Sequence, residues 1–424
     1  MATSSIKWEG HPRIKTSGSK LPQAAKVTPA ELEKRNKRSN KPFFAGYDYH
    51  NEEATKDGIK HFVRGMGDDN PLYLDAEYAA KSRYKKIIAP GTYLYSIYWV
   101  PLGSGIAGVH AWYSGGDWEW YKPIYVGDRF KIVVVIRDVV IKEGRMVGGG
   151  KLYINYTDVV YINQKNEIVG KELQHTVWAE REASGEAGKY LKTPKPKYSK
   201  EDWIRILDAF DKQKSRGSTP RYWEDVKVGD QVGPMLKGPL TVRDELAWLM
   251  GAGSPFFRAD KIEYQFEKRH PDALEYCEAR GEADVPELVH IFDEYAQTIG
   301  IERAYDYGHQ RMSWMGNLLT DWMGDDGFLW RMSGDLRVFN QMGDLTTFEG
   351  KVTRKYKDGG KCCVDVESWA KNQRNEWSMP PHISTIILPS KEHGPAVFPE
   401  PPAPILEDVK KAQPLQEMIA KGLI

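Results

Sequence analysis

The chain has 424 residues, room for two or three domains at roughly 150 residues each, and its 60 Lys+Arg against 59 Asp+Glu leave almost no net charge. That balance argues against a nucleic-acid binder whose affinity would come from neutralising phosphates. The cysteines Cys277, Cys362 and Cys363 form no disulfide framework or CxxC metal pair, which fits a reducing cytoplasm; no apolar run approaches the ~20 residues of a membrane span, and the N-terminus lacks the apolar core of a signal peptide.

Residues 1–45 are polar and Lys-rich, with one short helical stretch at Pro29–Arg35, and read as an extended arm. The first unit, residues 46–182, ends in strand-like runs at Arg129–Ile141 and Met146–Ile162, rich in β-branched and aromatic residues and joined by a turn at Glu143–Arg145. Asn163–Glu167 is turn chemistry leading into a strand at Glu172–Ala179. A Gly-, Lys- and Pro-bearing connector, residues 183–220, separates the halves. The second unit, residues 221–390, repeats the plan. Met315, Leu318, Leu319 and Trp322 mark one face of a buried helix between Gly308 and Gly327. Strands at Thr346–Tyr356 and Lys361–Ala370 are joined by a hairpin turn at Lys357–Gly360. Residues 391–424 are Pro-rich, then amphipathic, and read as an arm packing on the body or on a partner subunit. Each half is thus one central helix plus long antiparallel strands, an α+β plan in which a curved sheet wraps the helix. The 14 Trp and 23 Tyr are mostly core, with some able to line an apolar pocket.

The halves are copies. Tyr73–Gly91 lies on His290–Gly308 at a constant offset of 217, so that Glu77-Tyr78-Ala79 falls on Glu294-Tyr295-Ala296. Upstream, His61–Gly67 lies on Ala247–Gly253 at 186; downstream, Gly127-Asp128 lies on Gly343-Asp344 at 216 and Asn163–Glu167 on Asn372–Glu376 at 209. The step from 186 to 217 is an insertion of 31 residues in the second half, about 255–286. One copy has Tyr73 where the other has His290, so an ionisable imidazole stands in only one half.

GlyAspAspAsnProLeuTyrLeuAsp (67–75), GluTyrAla (77–79) and IleIleAlaProGlyThr (87–92) resemble the MaoC-like hot-dog hydratases and dehydratases, whose pattern runs G-D-x-N-P-x-H, a carboxylate, then A-x-G or A-P-G ahead of the central helix. TyrLysProIleTyrValGlyAsp (121–128) and TyrTrpGluAspValLysValGlyAsp (222–230) resemble further stretches of that family. The resemblance spans about residues 46–390. It implies a tandem (double) hot-dog fold acting on 2-enoyl or 3-hydroxyacyl thioesters of coenzyme A or an acyl carrier protein. It also implies no metal or redox cofactor, a homodimer of double hot-dogs, and one working half beside one that accepts the acyl tail. The pattern is broken in both copies: Asp68 is present with Tyr73 in the first, and His290 with Ser254 in the second.

Hydration of an enoyl thioester needs a base for the water proton, an acid for the α-carbon and donors for the enolate-like oxygen. The resemblance makes the second half the working one, with His290 as acid or base. The candidate partners are Asp306, two residues ahead of the helix-opening Gly308, and Asp284, carried in by the inserted loop. The N–H of Gly308, at a helix N-terminus, is the natural oxyanion donor. Asp306 has an equally good reading as a helix cap. Arg311 is a candidate for a CoA phosphate, against an ordinary ion pair. Tyr73, Asp68, Asn70 and His110 are the first half's candidates for lining the pocket. GlyAspAsp (67–69) and GlyAspAspGly (324–327) lack calcium-loop spacing, and no HExxH is present, so no metal site is expected. Two other readings stand beside the hydratase: an acyl-thioester binding subunit that needs a partner chain, and a hot-dog thioesterase. The Trp and Tyr content points to a bulky or cyclic acyl group.

Overall fold

A computed structural model describes residues 27–46, 49–99, 105–106, 109–143, 151–179, 193–269 and 274–422. The turn expected at Glu143–Arg145, and Met146–Gly150 after it, lie largely outside those residues. The strands are β1 (Phe43–Phe44), β2 (Ile88–Ala89), β3 (His110–Trp120), β4 (Ile124–Tyr125), β5 (Phe130–Glu143), β6 (Lys151–Asn163) and β7 (Ile168–Ala179) in the first half. The second half holds β8 (Gln231–Lys237), β9 (Glu275–Cys277), β10 (Glu282–Asp284), β11 (Phe328–Asp335), β12 (Thr346–Asp358), β13 (Lys361–Asn372) and β14 (Trp377–Ile387). Ten of them form one sheet in the order β1-β5-β6-β7-β3-β11-β14-β13-β12-β8. Read outward from the middle, the two halves have the same order, so β3 and β11 meet at a pseudo-twofold seam. Five registered pairs hold it, from Arg331 opposite Glu119 to Asp335 opposite Gly115.

The sequence offsets reappear as geometry. Helices Lys56–Met66 and Val242–Ala252 have identical lengths at the offset of 186, and each runs into a positive-φ glycine, Gly67 at 68° and Gly253 at 70°. Helices Ala76–Lys81 and Asp293–Thr298 correspond at 217. Asn166 and Asn375, 209 apart, share φ of 60° in their hairpin turns. In each turn an asparagine side chain, Asn163 or Asn372, accepts two backbone N–H groups. Such side-chain-to-backbone bonds are why turn sequences survive duplication. Helices Lys56–Met66 and Val242–Ala252 cross at two equivalent glycines. A Cβ on Gly65 would lie 2.5 Å from the Ala247 carbonyl oxygen, and one on Gly251 would lie 2.5 Å from Phe62 Cα.

Three elements differ from expectation. The connector carries a helix, Lys200–Lys212, started by a Ser199/Asp202 capping box. In the first half the segment from Gly91 is a 3-10 turn, Gly91–Tyr93, and a short helix, Leu94–Ile97, rather than a full core helix. Its Tyr-, Ile- and Trp-rich sequence favours helix weakly. The second-half counterpart runs from Gly308 to Met323, 16 residues buried on almost every side. The insertion holds a helix, Asp260–Arg269, and the β9–β10 hairpin, with its own apolar cluster around Val285, Leu288 and Tyr295. The C-terminal arm packs on the body: Gln413 bridges to Phe43, and Met418 is buried.

Candidate active site

The loop after Gly253 begins the site. Ser254, at the position of Asp68 in the first copy, donates its hydroxyl to Glu287 Oε2 at 2.5 Å. Glu287 comes from the end of the insertion, on the 3-10 helix Pro286–His290. In a 3-10 helix residues i and i+3 eclipse, so Glu287 and His290 share one edge. A carboxylate from three residues ahead of the histidine thus meets the serine that stands at the Asp position. The glutamate is buried with Oε1 lacking a hydrogen-bond partner. Burial pushes its carboxyl up to about 7, against the opposing Ser254 hydroxyl and Tyr307 phenol.

His290 Nδ1 lies 2.8 Å from the Tyr305 carbonyl oxygen. A carbonyl only accepts, so Nδ1 carries the proton and Nε2 holds the free lone pair. The ring stacks on Tyr307, with centroids 3.8 Å apart and planes at 24°. Desolvation pulls the imidazole down to about 4, opposed by the Tyr305 carbonyl. One edge of the side chain stays partly exposed. The pair thus sits at neutral pH as a neutral imidazole beside a carboxyl near the middle of its titration. Titratable neighbours pushed apart in this way suit opposite proton-transfer roles.

Tyr307 precedes the central helix, whose first residue, Gly308, offers an N–H without an intrahelical acceptor. A Cβ there would lie 2.6 Å from Tyr113 Cδ1 and 2.7 Å from Leu336 Cδ1, so any larger residue would have to push these side chains aside. The first half closes the site from the other side. Trp99 Nε1 donates to the Gly253 carbonyl at 3.2 Å, and its ring meets Tyr307 edge-on at 6.1 Å.

Neither proposed aspartate partners the histidine. Asp306 is buried and held by Arg311, with Nε 2.8 Å from Oδ2, and by Asn340 Nδ2 at 3.1 Å. Arg311 also donates through Nη1 to the Val338 and Ser378 carbonyls at 2.7 and 3.1 Å. Buried and committed on every side, it is not free to meet a CoA phosphate; the pair fastens the helix to the 338–340 loop. Nor does Asp306 cap the helix, whose N-cap residue is Tyr307 with no side-chain cap bond. Asp284 is exposed on β10, and its oxygen takes the N–H of Val285.

Asp68, Asn70 and Tyr73 assemble at the other end of the central helix, a helix ~24 Å long. Asn70 Nδ2 donates to Asp325 Oδ1 at 3.2 Å, and Asp68 Oδ1 accepts the Asn70 N–H at 2.9 Å. Lys237 reaches in from β8 to the Met66 and Gly67 carbonyls and to Asn317 Oδ1, at 2.9, 3.0 and 2.8 Å. Burial and the Asp68, Asp325 and Asp321 carboxylates hold the Tyr73 phenol well above 10, so it is no base at neutral pH. His110 pairs with Ala179 on β3, and its side chain lies outside the described residues. Sequence reasoning did not single out Glu287 or Tyr307. The available signal was Glu287-x-x-His290 directly after Pro286, a 3-10 start.

Residues 44–172 match the family model described as FAS1-like, dehydratase domain region. A solved structure named MaoC-like dehydratase aligns over 84% of this chain and all of its own, at 17% identity and a TM-score of 0.57. A Mycobacterium tuberculosis protein described as having a double hotdog fold aligns over 82% of this chain and 96% of its own, at 11% identity and a TM-score of 0.48. A UPF0336 protein of Streptomyces avermitilis is 26% identical over 94 residues, 20% of this chain and 63% of that protein. The fold is the α+β double hot-dog seen in the MaoC-like dehydratase structure, and residues 44–172 are similar to a FAS1-like dehydratase region.

Proposed function

We propose that the chain is a hydro-lyase that adds water to a 2-enoyl thioester, or removes it from the 3-hydroxyacyl product, in its second half. The observation that carries this reading is the Glu287/His290 edge, with its two groups displaced in opposite directions, facing the opening of the central helix. In the hydration direction His290 Nε2 takes a proton from water as the water oxygen bonds to C3. The alkene electrons move onto the thioester oxygen, which the Gly308 N–H receives, and the Glu287 carboxyl then delivers its proton to C2. Proton return from the imidazolium to the carboxylate restores the resting pair. The chemistry consumes only water and the thioester. The resemblance favours a CoA thioester, and the Trp and Tyr content favours a bulky acyl group.

Purified protein incubated with a panel of trans-2-enoyl-CoAs should bleach the conjugated-thioester absorbance without releasing free thiol. His290→Ala should cut the rate by roughly 10²–10⁴ while the protein stays folded. Ser254 in place of the family's aspartate favours a second reading, an acyl-thioester binding subunit; tight binding with no bleaching would establish it. Thiol release would mark a thioesterase.

A further inference from the structure

Beside the proposed acid/base pair lies a second imidazole that the reaction does not use. His309 is the second residue of the central helix and is 4% exposed. Three first-half rings enclose it: Tyr113 at 3.8 Å, Tyr95 at 4.8 Å and Trp99 at 4.8 Å between centroids. The polar atoms of that wall satisfy one another. Tyr95 and Tyr113 hydroxyls each lie 2.7 Å from Glu172 Oε1, Trp118 Nε1 donates to the Tyr95 hydroxyl at 2.7 Å, and Gln174 Nε2 donates to Glu172 Oε2 at 2.8 Å. His309 Nε2 is left buried with no hydrogen-bond partner.

An unpaired nitrogen in an aromatic box costs stability, which an apolar side chain of similar size would avoid. The scaffold does not demand it either: the equivalent residue of the first half, one past Gly91, is Thr92, packed against the central helix at Gly316. Burial and the nearby His290 hold the His309 imidazole well below its usual range, so it meets a ligand uncharged. A neutral imidazole in an aromatic wall backed by the Glu172 carboxyl gives no counter-charge to a carboxylate or phosphate. It gives one hydrogen bond to a hydroxyl or a keto oxygen.

Resting on the hydro-lyase reading for the site as a whole, we infer that His309 recognises a neutral oxygen function on the acyl group. The preferred substrate is then an oxygenated enoyl thioester, with its hydroxyl or keto group set past the reacting carbons, beyond the Tyr307 and Trp99 rings.

The test compares trans-2-octenoyl-CoA with its 5-hydroxy and 5-oxo derivatives in the full-length protein. It also measures binding of the saturated, unreactive octanoyl-CoA counterparts by tryptophan fluorescence. Wild type should prefer an oxygenated chain by roughly tenfold in kcat/KM and in affinity, the worth of one hydrogen bond, and His309→Leu should abolish the preference. His309→Gln, which keeps a donor and an acceptor, should retain part of it, and serves with His309→Phe if the leucine variant fails to fold. An equal ratio in wild type and variants overturns the assignment. A lost binding preference in a protein that hydrates none of the enoyl-CoAs keeps the recognition and removes the hydro-lyase reading.

Discussion

His290 and Glu287 lie on one edge of a single 3-10 turn, and the same cause, burial, moves them in opposite directions because one is cationic and the other anionic when charged. The working form holds a neutral imidazole and a protonated carboxyl. Hydration should therefore run on a plateau between about 4 and about 7 and fall as pH rises through about 7, where Glu287 loses its proton. A pH–rate profile of kcat/KM checks this, and a profile still rising above 7 would exclude Glu287 as the acid. Glu287→Gln should lower turnover by about 10², within the usual range for a positioned acid, and Asp284→Ala should leave it near wild type. Asp306→Ala belongs to a different class. It strands the buried Arg311 guanidinium and should cost about 3–5 kcal/mol in denaturant unfolding. A loss of turnover at unchanged stability would return Asp306 to the chemistry.

At the level of elements, the seam between β3 and β11 carries a ladder of charge across four strands. His175 Nε2 lies 3.2 Å from Asp117 and its Nδ1 3.5 Å from Asp335, which His382 Nε2 also approaches at 3.5 Å. The two carboxylates raise His175 to about 9 despite its partial burial. Because the folded value exceeds the unfolded one near 6.5, this stabilisation is complete below pH 6.5 and is lost as pH rises through about 9. The opposite limb comes from Asp335, which the two imidazoles hold below its usual range, so its share is lost as pH falls below the ordinary carboxylate value. Asp117 and Asp335 are both substantially exposed, so screening leaves about 1 kcal/mol between pH 6.5 and 9.5. Thermal unfolding across that window should show it, and His175→Gln should flatten the dependence.

For the whole molecule, the two copies hold together through the seam and through helices Lys56–Met66 and Val242–Ala252, which cross at Gly65 and Gly251. The nearest neighbours of a Cβ at either glycine are backbone atoms, which cannot swing aside. Gly65→Ala and Gly251→Ala should each cost about 1–3 kcal/mol through overpacking, seen as a lower unfolding midpoint. Equal midpoints for variant and wild type would mean that the helices separate cheaply. Two polar clusters lie at opposite ends of the central helix. Lys237 and a carboxylate cluster fill one end, and the imidazoles occupy the other. Tyr73→Phe, at the filled end, should accordingly change turnover little.

Local chemistry was enough to fix the duplication, the paired hairpin turns, the central helix from Gly308 and the lone imidazole at His290. The turns and the helix depend on neighbours within a few positions, an asparagine bonding its own turn and apolar residues at helical spacing, and the duplication on reading one copy against the other. The partner of that imidazole was not legible at the family spacing, because the insertion broke the spacing. Only the folded chain brings Ser254 across 33 positions to Glu287 and turns Asp306 toward Arg311 instead. The aromatic box around His309 was hidden for the same reason. Its walls come from the other half of the chain, and burial, which sets both contact and charge state, exists only once distant segments pack.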